Sequence, residues 1–147
     1  MFAIVEGPID MGTLIASAQR PDCGAIATFV GTTRVDESEG ASVEHLEYEA
    51  YRPMADSKLE EIGSEIEARW DVRHVSIVHR LGRVDPGEAS VAIVVASARR
   101  GPAFEATRYA IERIKVVVPI WKREVWSDGY VWVGSQVGTR EPATEKR

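Results

Sequence analysis

Cysteine is nearly absent from this chain: Cys23 is the only one in 147 residues. An intrachain disulfide and a thiolate metal cage are therefore excluded, and the composition suits a reducing compartment. Long apolar runs are missing too. The stretch from Val91 to Ala96 is far short of the ~20 residues needed to cross a bilayer. The N-terminus reads Met-Phe-Ala-Ile-Val-Glu, with neither a basic n-region nor a long apolar h-region, so no signal peptide is expected and a cytoplasmic location is the default. Positive charge is in deficit, with 18 Lys and Arg against 23 Asp and Glu, a net charge of -5 and a pI near 5.3. That balance argues against broad binding to nucleic acid or membrane surfaces. No repeat or low-complexity segment is present, nor is a serine nucleophile elbow, a Walker loop or a dinucleotide glycine fingerprint. His45, His74 and His79 lack metal-ligand spacing and read as structural or surface residues, so no metal and no cofactor is expected. Cys23 reads as a small core residue.

What is present is ordinary globular material, 44% hydrophobic and 28% charged, enough for one domain with a proper core. Phe2–Val5 reads as a strand and Ile9–Ala18 as a short helix. Gly24–Thr32 reads as a buried strand, and Val35–Ser42 as a mobile loop rich in Asp, Glu, Ser and Gly. Val43–Ala50 alternates, with Glu44, Leu46, Tyr48 and Ala50 turned inward, as in a half-buried strand. Pro53 suits the first turn of a helix whose stripe is Ala55, Leu59, Ile62, Ile66 and Trp70. Val75–Leu81 is a strand, and Asp85-Pro86-Gly87 is a turn. Ser90–Ser97, almost continuously apolar, is predicted to be a central strand covered on both faces. A second long helix carries the stripe Phe104, Thr107, Ile111, Ile114 and Val118, and Pro119 stops it. Ile120–Trp126 and Tyr130–Val133 form a hairpin about Ser127-Asp128-Gly129. The domain is drawn as residues 1–138, with a polar tail over 139–147. Strands interleaved with two main helices make the class α+β or α/β.

Three places can carry chemistry. Arg99 and Arg100 stand directly before Gly101-Pro102 at a helix start, where unpaired N–H groups and partial positive charge favour an anion. Arginine grips phosphate or carboxylate oxygens in a fixed fork. The alternative is that both arginines are solvated or paired with acidic side chains. Lys115 lies at the edge of a buried stripe, and Lys122 shares a strand face with Ile120 and Glu124. An amine bordered by apolar groups and another cation gives up its proton more readily and becomes a usable acid, base or nucleophile. The alternative is a pair of snorkelling lysines. Arg34 leaves the strand Thr28-Phe29-Val30-Gly31-Thr32 for a loop, a common position for ligand contacts, although a lone arginine there is more often simply exposed. Trp121, Trp126 and Trp132 cluster in the hairpin, where core packing or a partner interface accounts for them.

Several stretches, in this order, resemble the large catalytic subunit of molybdopterin synthase. They are T-F-V-G-T-T-R at 28–34, L-E-Y-E-A-Y at 46–51, V-H-R-L-G at 78–82, G-E-A-S-V at 87–91, F-E-A-T-R-Y-A-I-E-R-I-K at 104–115, P-I-W-K-R-E at 119–124 and W-V at 132–133. The resemblance implies a single-domain α+β fold of the α/β-hammerhead type with an additional small antiparallel sheet. It implies transfer of sulfur from the C-terminal Gly-Gly thiocarboxylate of a small ubiquitin-like subunit to cyclic pyranopterin monophosphate, forming the molybdopterin dithiolene. It implies a homodimer with one small subunit at each end. Lys115 and Lys122 match the family's active-site lysines, Arg34 and Arg100 its anion-binding arginines, and Phe29 a pocket-lining aromatic. Arg99 stands where relatives often carry histidine, which adds fixed positive charge and removes a proton-transfer group. Two rival functions remain from the residues alone: an anion-binding module without chemistry, and an interaction protein that docks a partner through its tryptophan hairpin.

Overall fold

A computed structural model of the chain describes residues 1–38, 40–133 and 141–142. In chain order its elements are β1 (Phe2–Val5), α1 (Met11–Ala18), β2 (Ala25–Thr32), β3 (Glu37–Ser38), β4 (Ala41–Ala50), α2 (Arg52–Arg69), β5 (Val72–Arg80), β6 (Gly82–Val84), β7 (Ala89–Ser97), α3 (Arg100–Val117), β8 (Ile120–Trp126), β9 (Gly129–Val133) and β10 (Glu141–Pro142). The architecture is α+β with two sheets, as expected. One sheet has the order β1-β5-β7-β2; the other runs β10-β9-β8-β4-β3, with β6 also paired to β4. Pairing in the second sheet is antiparallel throughout. The drawn domain boundary at 138 and the tail 139–147 lie outside the described residues, apart from Glu141–Pro142.

The apolar run of β7 is explained by cover on both faces. Val91, Ile93 and Val95 pack with Val75 and Ile77 beneath α2 and α3. Ala92, Val94 and Ala96 pack with Val78 against Leu14 and Ala18 of α1. Between the two layers no position can be polar without a partner. The stripe of α2 lies as read: Ala55, Leu59, Ile62 and Ile66 are fully buried. Asp10 caps α1, accepting from the Thr13 N–H at 3.1 Å and the Thr13 hydroxyl at 2.7 Å. This cap holds the helix start at Met11, two residues beyond the Ile9 expected.

Four expectations change. β2 is an outer strand, and its second half, including Phe29 and Val30, is exposed. Apolar composition alone does not separate an edge strand that awaits cover from a central one. The expected loop 35–42 contains a short hairpin instead. Glu37 and Ser38 pair with Ser42 and Ala41, and Gly40 takes φ 77°, a left-handed value that suits glycine. In β4 the alternation breaks at a bulge between Val43 and His45. The extra residue turns Val43 to the same cluster as Leu46 and Trp126. Finally, the buried face of α3 is rotated from the one read. Phe104 is 64% exposed, and Ala103, Ala106, Thr107, Ala110 and Ile114 face inward. Small residues let the helix lie close on the sheet, a signal that bulk hydrophobicity hides.

Candidate active site

Two rows of side chains, one from each sheet, meet at the C-terminal end of α3. In the first sheet, His79 lies opposite Val91, and Val91 opposite Gly31. In the second, Tyr48 lies opposite Lys122, and Lys122 opposite Val133. Directly opposed residues of antiparallel strands project to the same face. The rows join where the Tyr48 and His79 rings meet edge-on, with centroids 5.0 Å apart at 68°. All six residues line a cavity of about 590 Å³.

Lys115 enters the same cavity from the last turn of α3. Pro119 ends that helix and Ile120 begins β8, so the chain turns back within a few residues and delivers Lys122 to the opposite wall. Lys115 is exposed and Lys122 half-buried. Neither is in an ion pair among the described residues. Their charges are therefore available to a ligand. Phe29 lines the cavity from β2, on the same strand face as Gly31, and Trp121, 46% exposed, stands at its edge. Gly31 is required by close approach: a Cβ there would sit 2.7 Å from Val91 Cγ1 and 3.4 Å from Phe29 Cε2.

The arginines are placed differently. Arg34 follows Thr33, whose N–H donates to the Glu88 carbonyl at 3.0 Å and whose carbonyl accepts from the Gly87 N–H at 2.7 Å. That anchor fixes the strand exit next to Thr32, a lining residue, but the Arg34 side chain is 80% exposed and paired with Asp36 at 2.9 Å. Arg99 and Arg100 are exposed at the start of α3, which has no side-chain cap, and neither is in an ion pair among the described residues. Fifteen residues of helix separate Arg100 from Lys115, roughly 22 Å at the α-helical rise. The chain thus gathers Lys115, Lys122 and Phe29, and leaves Arg34, Arg99 and Arg100 outside the lining.

Sequence reasoning missed the inner wall, made by Tyr48, His79 and Ser90. His79 is 5% exposed, and its Nδ1 lies 2.9 Å from the Arg80 carbonyl. A carbonyl only accepts, so Nδ1 carries the proton and donates. Burial drives the pKa of this ring down to about 4, against a smaller opposite effect of the Arg80 bond. The ring is accordingly neutral, with its lone pair on Nε2. Burial also pushes the Tyr48 phenol up, partly offset by a hydrogen bond with Ser90. The Ser90 hydroxyl donates to the Gly31 carbonyl at 3.3 Å. The available signal was a polar residue at the end of each of three core strands, where solvation is no longer an option and a site is one remaining reason for polarity.

The inner wall is thus neutral and polar, the outer part cationic, and the rim aromatic. Such a cavity suits a flat polar heterocycle bearing an anionic group, with room for a second reactant beside it.

The chain is similar to known proteins in sequence and in fold. A molybdopterin synthase catalytic subunit from Bacillus subtilis is 48% identical over 138 residues, covering 94% of this chain and 87% of that protein. A crystal structure of molybdopterin synthase from Staphylococcus aureus superposes with a TM-score of 0.84 at 44% identity, covering 89% of this chain and 95% of that one. A molybdopterin biosynthesis MoaE protein from Burkholderia ambifaria superposes with a TM-score of 0.76 at 34% identity, covering 90% and 87%. The model of the MoaE protein family matches residues 4–117, a span that holds the row His79–Val91–Gly31 together with Tyr48 and Lys115 and stops short of Lys122 and Val133, and the chain belongs to that family.

Proposed function

We propose that this chain is the catalytic subunit of a molybdopterin synthase, a sulfurtransferase that converts cyclic pyranopterin monophosphate to the dithiolene of molybdopterin. The observation that carries the reading is the convergence of Lys115 and Lys122, from the end of α3 and from β8 and unpaired among the described residues, on one cavity. Relatives that carry the synthase name support the choice of reaction. The sulfur donor is the C-terminal Gly-Gly thiocarboxylate of a small ubiquitin-like subunit, whose tail enters past Trp121 and Phe29. The two ammonium groups polarise the thiocarboxylate and move protons as sulfur replaces oxygen. Neither a metal nor a cofactor has a role in this scheme. Nucleic acid and membrane have none either, in keeping with the net charge of -5. The lone cysteine fits work in the cytoplasm.

Arg34, Arg99 and Arg100 supply the phosphate contacts in this reading. Arg34 reaches the rim by giving up its exposed pair with Asp36, a pairing worth little in water. Arg99 and Arg100, roughly 22 Å along α3 from Lys115, serve a cavity only in a second protomer, so the working form is a homodimer. The exposed edge strand β2, with Phe29 and Val30 uncovered, offers a surface for that second copy.

The test mixes the protein with a thiocarboxylated small subunit and cyclic pyranopterin monophosphate. Dithiolene product is expected, and its absence with a competent donor would refute the proposal.

A further inference from the structure

The inner wall has a use of its own. The Nδ1–H of His79 is spent on Arg80, and its ring meets that of Tyr48 edge-to-face. Nε2 has no hydrogen-bond partner among the described residues, and it is not one of the sealed, unsatisfied polar atoms of the interior. An acceptor that opens onto a cavity takes its donor from the contents of that cavity, water or ligand. The residue lines the cavity, so the donor comes from whatever occupies it.

The order of charges says which occupant. The deep residues, His79 at 5% and Ser90 at 4% exposure, are neutral, while the more exposed Lys115 and Lys122 are cationic. The Ser90 hydroxyl is already engaged within the wall, with the Gly31 carbonyl and the Tyr48 phenol, so the group left without a partner there is the His79 acceptor. A peptide tail ending in a thiocarboxylate would enter with its anion leading and would meet no cation there. A heterocycle with ring N–H groups at one end and a phosphate at the other matches the gradient.

We propose that His79 orients the substrate, its Nε2 accepting a hydrogen bond from a ring N–H of the bound pterin while the phosphate end lies toward the cations. This rests on the synthase reading and adds to it a group that selects a heterocycle with a donor at that edge. The contact with the Tyr48 ring and the Arg80 carbonyl fix the imidazole orientation, so the acceptor is set before substrate arrives.

The test compares wild type, His79→Phe and His79→Gln in dithiolene formation, varying cyclic pyranopterin monophosphate and the thiocarboxylated small subunit in turn. His79→Phe keeps an aromatic edge against Tyr48 and removes the acceptor; His79→Gln returns an acceptor. Losing one neutral hydrogen bond raises KM for the pterin by about tenfold. KM for the small subunit stays unchanged, and His79→Gln recovers most of the loss. An unchanged pterin KM in His79→Phe, or a rise confined to the small subunit, overturns the assignment. Should the phenylalanine variant fail to fold, 15N NMR of the wild type decides: the Nε2 resonance of His79 moves upfield on adding the pterin phosphate, and a stationary resonance overturns the proposal. Wild type that makes no product at all refutes the synthase reading instead, which separates the two failures.

Discussion

Acid should weaken this protein through His79 before most carboxylates titrate. Burial holds the native ring at a pKa of about 4, against an ordinary value of 6.5. Between these values the unfolded chain binds a proton that the native chain refuses, so protons favour unfolding. The contribution is complete above about pH 6.5, falls as pH drops through the window, and flattens below about pH 4. A difference near 2.5 units, at about 1.36 kcal/mol each, amounts to roughly 3 kcal/mol across the full window. That is a large share of the ~5–15 kcal/mol that holds a typical domain folded. Urea denaturation of wild type and His79→Gln between about pH 7 and pH 4.5 measures it. His74, whose pKa is also lowered chiefly by burial, acts in the same direction but is common to both proteins and cancels in the difference. The stability of wild type relative to the variant should fall as pH is lowered. Parallel curves across the window would show that the native imidazole titrates normally, and the neutral inner wall would go with it.

Other positions give sharper local tests. Gly31→Ala brings its Cβ to 2.7 Å from Val91 Cγ1. Overpacking of about 1–3 kcal/mol exceeds the ~0.4–1 kcal/mol gained from a stiffer unfolded chain, so both the melting temperature and affinity for the pterin should fall, read by calorimetry and by KM. Gly63→Ala, in mid-helix, would stabilise by up to ~1 kcal/mol on helix propensity alone. The added carbon would collide with the Phe2 ring, however, so net destabilisation is expected, reversed when Phe2→Ala is added. Glu65 links α2 to α3, accepting from the Tyr109 hydroxyl at 2.7 Å and from Arg113 at 3.2 and 3.3 Å. The Arg113 bonds, then the Tyr109 bond, hold its carboxyl below the ordinary 4.5. Its stabilising effect is present above about pH 4.5 and is lost as pH falls through the lower native value. Glu65→Gln should reduce this acid-side loss in denaturation midpoints.

Much of this fold was legible because its signals are local. The periodicity of α2, the apolar run of β7, the turn at Asp85-Pro86-Gly87 and the stop at Pro119 each follow from residues within one segment. What eluded reading depends on neighbours from elsewhere. The bulge after Val43 moves a side chain across the sheet without any mark in the sequence. The rotation of α3 reflects how closely a helix can settle on alanines, and no pattern in bulky residues reports it. The exposure of β2 depends on strand order. Lys115 and Lys122 stand out by their apolar neighbours but are told from snorkelling lysines only through resemblance to a family, which also supplies Phe29, and the geometry brings the three together. His79, Tyr48 and Ser90 become a unit only when three strands align, so each alone reads as structural.

The most direct test is single-turnover dithiolene formation by wild type, Lys115→Ala and Lys122→Ala, with thiocarboxylated small subunit and cyclic pyranopterin monophosphate supplied in excess. Both side chains are at least partly exposed, so the variants should melt with the wild type. Loss of an acid–base or charge-stabilising group at the reacting atoms should slow each at least ~100-fold. Folded variants that form product at the wild-type rate would contradict a reaction run between these two amines.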